Sequence, residues 1–129
     1  MRLLVDTHVL LWAIAEPHKL PKASQTRLQA VEHEVLFSAA SIWELTIKLQ
    51  AKRLILPVEL EDIVEAADAM GFTELPVSAA HAASVRRLPL FHRDPFDRLL
   101  VAQAMFEPAR LLTADRVLLQ YSDLVDVIL

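Results

Sequence analysis

The chain has 129 residues, enough for one domain with a substantial core and read here as a single domain over 1–129. Its single glycine, Gly71, excludes phosphate-cradling and dinucleotide loops built from several glycines, and the absence of cysteine excludes disulfides, thiolate metal sites and cysteine nucleophiles. A net charge of −4 argues against a simple basic nucleic-acid binder, unless acids gathered in one site are neutralised there by a cation.

Hydrophobic residues make up 54% of the chain and mean hydropathy is +0.35, which points to surplus apolar surface for a partner or a second copy. No apolar run approaches the ~20 residues that span a bilayer. Asp6 and His8 interrupt the apolar start too early for a signal peptide, so a cytoplasmic protein without membrane contact is expected.

In chain order, Leu3-Leu4-Val5 reads as a buried strand ending at Asp6. Thr7 is a candidate cap for the apolar helix Val9–Ala15, which stops before Pro17. Pro21 opens a helix to about His33, with Leu28 and Val31 facing inward. Val35-Leu36-Phe37 is a second strand, and Ser38–Ser41 leads into a helix ending in Lys52-Arg53. Trp12 and Trp43 fall on apolar faces and read as core.

Leu54-Ile55-Leu56 is an extended link, and Glu59–Met70 an acidic amphipathic helix closed by Gly71. Phe72–Leu75 is a third strand, followed by a helix from Ser78 to about Leu88. Asp94 and Pro95 then have the pattern of an N-cap and first helical residue, with Asp97 in the first turn. Leu99, Leu100, Ala102 and Met105 give that helix an apolar surface suited to packing on both sides. Arg110–Thr113 is a fourth strand, Asp115–Tyr121 a short helix and Leu124–Leu129 a last strand. Strands alternating with helices imply an α/β/α three-layer sandwich with a mainly parallel central sheet.

Asp6 ends the first strand, Glu44 follows the second, Asp97 opens its helix and Asp115 follows the fourth strand. In a parallel sheet the carboxyl ends of all strands share one edge, so these acids are expected to converge there. Asp97 is the weakest placement, because no clear strand directly precedes its helix. Converging carboxylates call for cations, and an oxygen-rich set without sulfur favours Mg²⁺ or Mn²⁺. Such an ion activates water and stabilises charge on a phosphodiester.

Each acid also has a purely structural reading. Ser41-x-x-Glu44 fits a capping box, while Asp94, Asp97 and Asp115 suit helix first turns. Lys48, Lys52, Arg53, Arg86, Arg87, Arg93 and Arg98 are the bases available to a phosphate backbone, with Lys48, Arg93 and Arg98 nearest the acids in sequence. Lys48 also suits an ion pair with Glu44 one turn away. The five histidines show no ligand spacing; His92, beside the acidic set, is the one worth testing as a site residue, with a surface or hinge place as the other reading.

The segments Asp6–Trp12, Ser41–Glu44 with Lys48, His92–Arg98 through Ala104, and Leu112–Asp115 together resemble the PIN-domain family, nearest to the VapC-like toxins of bacterial type II toxin–antitoxin pairs. The resemblance implies a homodimeric metal-dependent endoribonuclease acting on RNA and silenced by a cognate antitoxin. It implies that Asp6, Glu44, Asp97 and Asp115 form the catalytic, metal-holding quartet, with Asp94 as accessory acid. Thr7, Ser41 and Thr113 match hydroxyl positions that support the acids. A haloacid-dehalogenase-type phosphatase would need an acid where His8 stands, and the acidic pair of a receiver domain is absent. A non-catalytic α/β interaction module with capping acids is the alternative.

Overall fold

The computed structural model describes residues 1–128 as a five-stranded sheet flanked by helices. The strands are β1 (Arg2–Val5), β2 (Glu34–Ser38), β3 (Thr73–Leu75), β4 (Arg110–Thr113) and β5 (Val125–Val127), in the order β3-β2-β1-β4-β5. Every neighbouring pair runs parallel, with Val5 opposite both Phe37 and Leu112. The helices are α1 (Thr7–Ala15), α2 (Lys22–Gln29), α3 (Ala39–Gln50), α4 (Leu60–Ala69), α5 (Ala79–Ser84) and α6 (Pro95–Phe106). Leu129, assigned from sequence to the last strand, lies outside the described residues.

Alternation along the strands builds the two cores. Leu3, Val5, Val35, Phe37 and Leu112 meet Val9, Leu10 and Ala13 of α1, Leu28 of α2 and Ala67 of α4. Leu4, Leu36 and Leu111 face the other way, onto Leu100, Val101 and Ala104 of α6 and onto Leu118. Both faces of the sheet are therefore covered, as the near-continuous apolar strands require.

Two helix ends close by the same geometry. After α4, the Gly71 amide donates to the Asp68 carbonyl and the Phe72 amide to Ala67, with Gly71 at φ +86°. After α3, Lys52 and Arg53 donate to Leu49 and Lys48 in the same way, so Lys52 adopts φ +57° without being a glycine.

Several sequence expectations change. α2 ends at Gln29, so Val31 lies in the following turn and is fully exposed. Trp43 is 58% exposed because α3 buries Ala40, Ser41, Glu44 and Leu45, leaving position 43 on the opposite side. Met105 and Phe106 are exposed at the end of α6. The expected helix from Ser78 to Leu88 becomes a short α5 followed by a 3₁₀ turn over Val85–Arg87.

Candidate active site

The chain winds outward from β1 in both directions, so the sheet's order reverses between β1 and β4. A crevice opens at the carboxyl ends of strands flanking such a reversal. Asp6 directly follows β1, and Thr113 is the last residue of β4.

Asp6 is buried and has both oxygens engaged. Oδ1 accepts the Val9 amide at 2.9 Å, which makes Asp6 the N-cap of α1, and Oδ2 accepts the Thr113 hydroxyl at 2.6 Å. Thr7, expected to cap, is already the first helical residue, so its side chain is free to turn inward. The Thr7 hydroxyl donates to Glu44 Oε1 at 2.7 Å and lies 2.9 Å from Ser41 Oγ. Burial raises the Asp6 carboxyl above its ordinary pKa, opposed by the Thr113 and Val9 hydrogen bonds; Glu44's charge adds to the rise.

Glu44 projects from α3, whose N-cap is Ser38. The helix begins directly at the end of β2, so Ser41 and Glu44 sit inside it and form no capping box. Glu44 is 3% exposed; besides Thr7 it takes Lys48 Nζ on Oε2 at 2.6 Å.

At the start of α6, Asp94 Oδ1 accepts the Phe96 amide at 2.8 Å, with Pro95 in the first turn as read from sequence. Asp97 follows in that turn, its carboxyl pushed up to about 7. Burial is the largest cause, and the negative charges of Asp94, Asp6 and Glu44 each add to it. Residues from three separate segments thus act on one carboxyl, although no strand directly precedes α6.

Asp115 caps the 3₁₀ turn Arg116–Gln120 through Oδ1, which accepts the Val117 amide at 3.0 Å. Its own amide donates to Thr113 Oγ1 at 3.0 Å, and its Oδ2 receives His92 Nε2 at 2.8 Å. His92 Nε2 also lies 3.2 Å from Asp97 Oδ2. His92 is therefore inside the cluster and not a detached surface residue. The signal for it in the sequence is its place two residues before Asp94.

Two hydrogen-bonded groups meet at the consecutive residues Asp6 and Thr7: Thr7 holds Glu44, while Asp6 is joined through Thr113 to Asp115 and on to His92, whose Nε2 lies close to Asp97. Asp6, Asp94 and Asp115 each cap a helix or turn with Oδ1. In Asp6 and Asp115, Oδ2 is directed into the cluster. The capping and site readings of the sequence are compatible, since a carboxylate has two oxygens and a helix N-terminus stabilises its charge.

The basic residues are arranged differently from a simple rim. Lys48 pairs with Glu44. Arg98 donates to the carbonyls of Pro89, Leu88 and Val85 and to the Tyr121 hydroxyl, so it fastens a loop. Arg93 is exposed.

The donor set fits a hard divalent cation. Asp6, Glu44, Asp94 and Asp97 interact in one locality, and ligand atoms of His92, Asp97 and Asp115 lie within 4.8 Å of one another. Carboxylate oxygens dominate, as Mg²⁺ or Mn²⁺ prefers. Among the described residues, no helix is long and apolar enough to cross a membrane.

A family model for the PIN domain matches residues 3–124. The chain is similar to Ribonuclease VapC22 of Mycobacterium tuberculosis, at 35% identity over 119 residues covering 88% of this chain and 86% of that protein. Its fold is similar to a chain in the structure of VapBC2 from Rickettsia felis bound to a promoter DNA fragment, with TM-score 0.70, 17% identity and coverage of 98% of each chain. It is also similar to a chain of FitAB bound to the IR36 DNA fragment, with TM-score 0.58, 19% identity and coverage of 88% of this chain and 85% of that one.

Proposed function

The chain belongs to the PIN domain family, and on that premise we propose that it is a Mg²⁺- or Mn²⁺-dependent endoribonuclease, the toxin of a type II toxin–antitoxin pair. The observation that carries this reading is the gathering of Glu44, Asp6, Asp115 and Asp97 at the reversal in the sheet, where Thr7 holds Glu44, Thr113 joins Asp6 to Asp115, and the charges of Asp6 and Glu44 reach Asp97. Asp6, Glu44, Asp97 and Asp115 would hold the cation, with Asp94 as accessory acid. Such an ion lowers the pKa of bound water and stabilises charge on the phosphodiester.

The chain's own groups supply preorganisation. Thr113 fixes Asp6 and positions Asp115 through its amide; Thr7 and Ser41 fix Glu44 from the other side. Lys48 neutralises Glu44 within the cluster. Arg93 is the exposed base beside Asp94 from which contact with an RNA phosphate would come.

The fold's likeness to chains of VapBC2 and FitAB supports a protein partner, in the role of antitoxin. Exposed Trp43, Ile55, Leu90 and Phe106 leave apolar surface for that partner and for a second copy. The test is cleavage of an RNA oligonucleotide by purified protein. Cleavage is expected with Mg²⁺ or Mn²⁺, and is lost with EDTA and in Asp6→Asn of unchanged circular dichroism. Equal cleavage by Asp6→Asn, or cleavage indifferent to EDTA, contradicts it.

A further inference from the structure

We propose that His92 is a positioning residue of the acidic site, locked as an Nε2–H donor that holds Asp115 in place beside Asp97 and is not itself a ligand of the cation. The inference rests on the metal-dependent reading above and adds a role for a residue outside its acidic quartet.

The backbone of the loop fixes the ring's tautomer. His92 Nδ1 accepts the amide of Asp94 at 3.1 Å. A ring nitrogen that accepts a hydrogen bond carries no proton, so the neutral imidazole carries its proton on Nε2. That N–H donates to Asp115 Oδ2 at 2.8 Å, and Nε2 lies 3.2 Å from Asp97 Oδ2. Ligation through Nε2 would require the proton to move to Nδ1, where it would face the Asp94 N–H and forfeit that hydrogen bond.

The loop is held in place by groups outside the acidic cluster. The His92 amide donates to the Tyr121 hydroxyl at 2.9 Å, and the Phe91 ring packs 5.2 Å from the Tyr121 ring. Arg98 gathers the carbonyls of Pro89 at 2.8 Å and of Leu88 and Val85 at 3.3 Å, and reaches the Tyr121 hydroxyl at 3.2 Å. α6 and the turn after β4 therefore set the loop's position, and carboxylate attraction alone does not account for it. An N–H donated to Asp115 and lying close to Asp97 offsets part of the repulsion between the two carboxylates. It also keeps Asp115, the more exposed of the pair, from turning to solvent.

Two measurements test the role. In a long-range ¹H–¹⁵N spectrum above neutral pH, assigned by the signal missing from His92→Gln, His92 is expected to show protonated Nε2 and bare Nδ1. The pattern is expected to persist when Mg²⁺ saturates the protein. A protonated Nδ1 in either condition overturns the proposal. In calorimetric titrations with Mn²⁺, His92→Leu is expected to bind roughly 10- to 100-fold more weakly, the usual effect of removing a group that orients a ligand. His92→Gln, which keeps an N–H of similar reach, is expected to stay near wild type. Wild-type protein that binds no Mn²⁺ overturns the metal reading and this inference together. Wild-type binding with an equally tight His92→Leu overturns the role of His92 alone.

Discussion

The Thr113 hydroxyl donates to Asp6 Oδ2 at 2.6 Å across the reversal between β1 and β4, and the same oxygen accepts the Asp115 amide at 3.0 Å. One buried side chain thus ties two of the acids to adjacent strands. Thr113→Val keeps the shape but removes both bonds. It is expected to lower RNA cleavage by about 10- to 100-fold and to destabilise the protein by about 1–3 kcal/mol. Thr113→Ser should retain most of both. Full activity in the valine variant would remove Thr113 from the site.

Asp97 makes metal-free stability depend on pH in an unusual direction. Its folded-state pKa of about 7 lies above the ordinary value of 3.8, so the native protein holds a proton that the unfolded chain has released between those values. Stability from this carboxyl is therefore full at low pH and is lost as pH rises to about 7. Asp6 is shifted in the same direction. Glu107, lowered chiefly by His81, and Asp126, lowered chiefly by Arg110, act oppositely, but their gains are complete by about pH 5. Thermal midpoints should fall between about pH 5 and 7 without metal. Mg²⁺ should raise them most above neutrality, and Asp97→Asn should raise the metal-free midpoint by about 3–6 °C. A flat profile matched by Asp97→Asn would contradict the crowding of carboxylates.

Gln103 is fully buried in α6 and ties that helix to the ends of β2 and β3. Its Oε1 accepts the Ser38 hydroxyl at 2.6 Å, and its Nε2 donates to the Pro76 carbonyl at 3.2 Å. Ser38 caps the helix carrying Glu44, while Gln103 shares a helix with Asp97. Gln103→Leu leaves Ser38 and Pro76 without these partners and should cost about 1–3 kcal/mol in urea unfolding. A neutral result would show that water or repacking replaces both bonds.

Lys52 closes α3 in the left-handed conformation usually given to glycine. Lys52→Gly should stabilise the protein by about 0.5–1 kcal/mol, because the released strain exceeds the added unfolded-state entropy. A loss of stability would mean that the lysine stem contributes packing that outweighs the strain.

The fold was legible because apolar β1, β2 and β4 alternate with longer amphipathic stretches, a pattern with few stable arrangements. Asp6, Asp94, Asp97 and Asp115 were legible for the same reason: strand ends and first turns have recognisable neighbours. Cap assignments were harder. Whether Asp6 or Thr7 caps α1 depends on which residue takes the first helical conformation, and both are good caps. Trp43 and Met105 lie outside the cores: α3 and α6 carry apolar residues around much of their circumference, so composition alone does not say which face meets the sheet. Arg98 and His92 were harder to place. Their places depend on loop 88–93, whose path is set by tertiary hydrogen bonds to Tyr121 and to the loop carbonyls.

The most direct measurement is anomalous diffraction from a crystal of the protein soaked in Mn²⁺. A manganese peak is expected in the crevice at the ends of β1 and β4, about 2.0–2.3 Å from carboxylate oxygens of Asp6 and Asp97, and absent from Asp6→Asn crystals treated alike. Peaks only elsewhere on the surface, or an empty crevice at saturating Mn²⁺, would contradict the central claim that these scattered acids form one cation site.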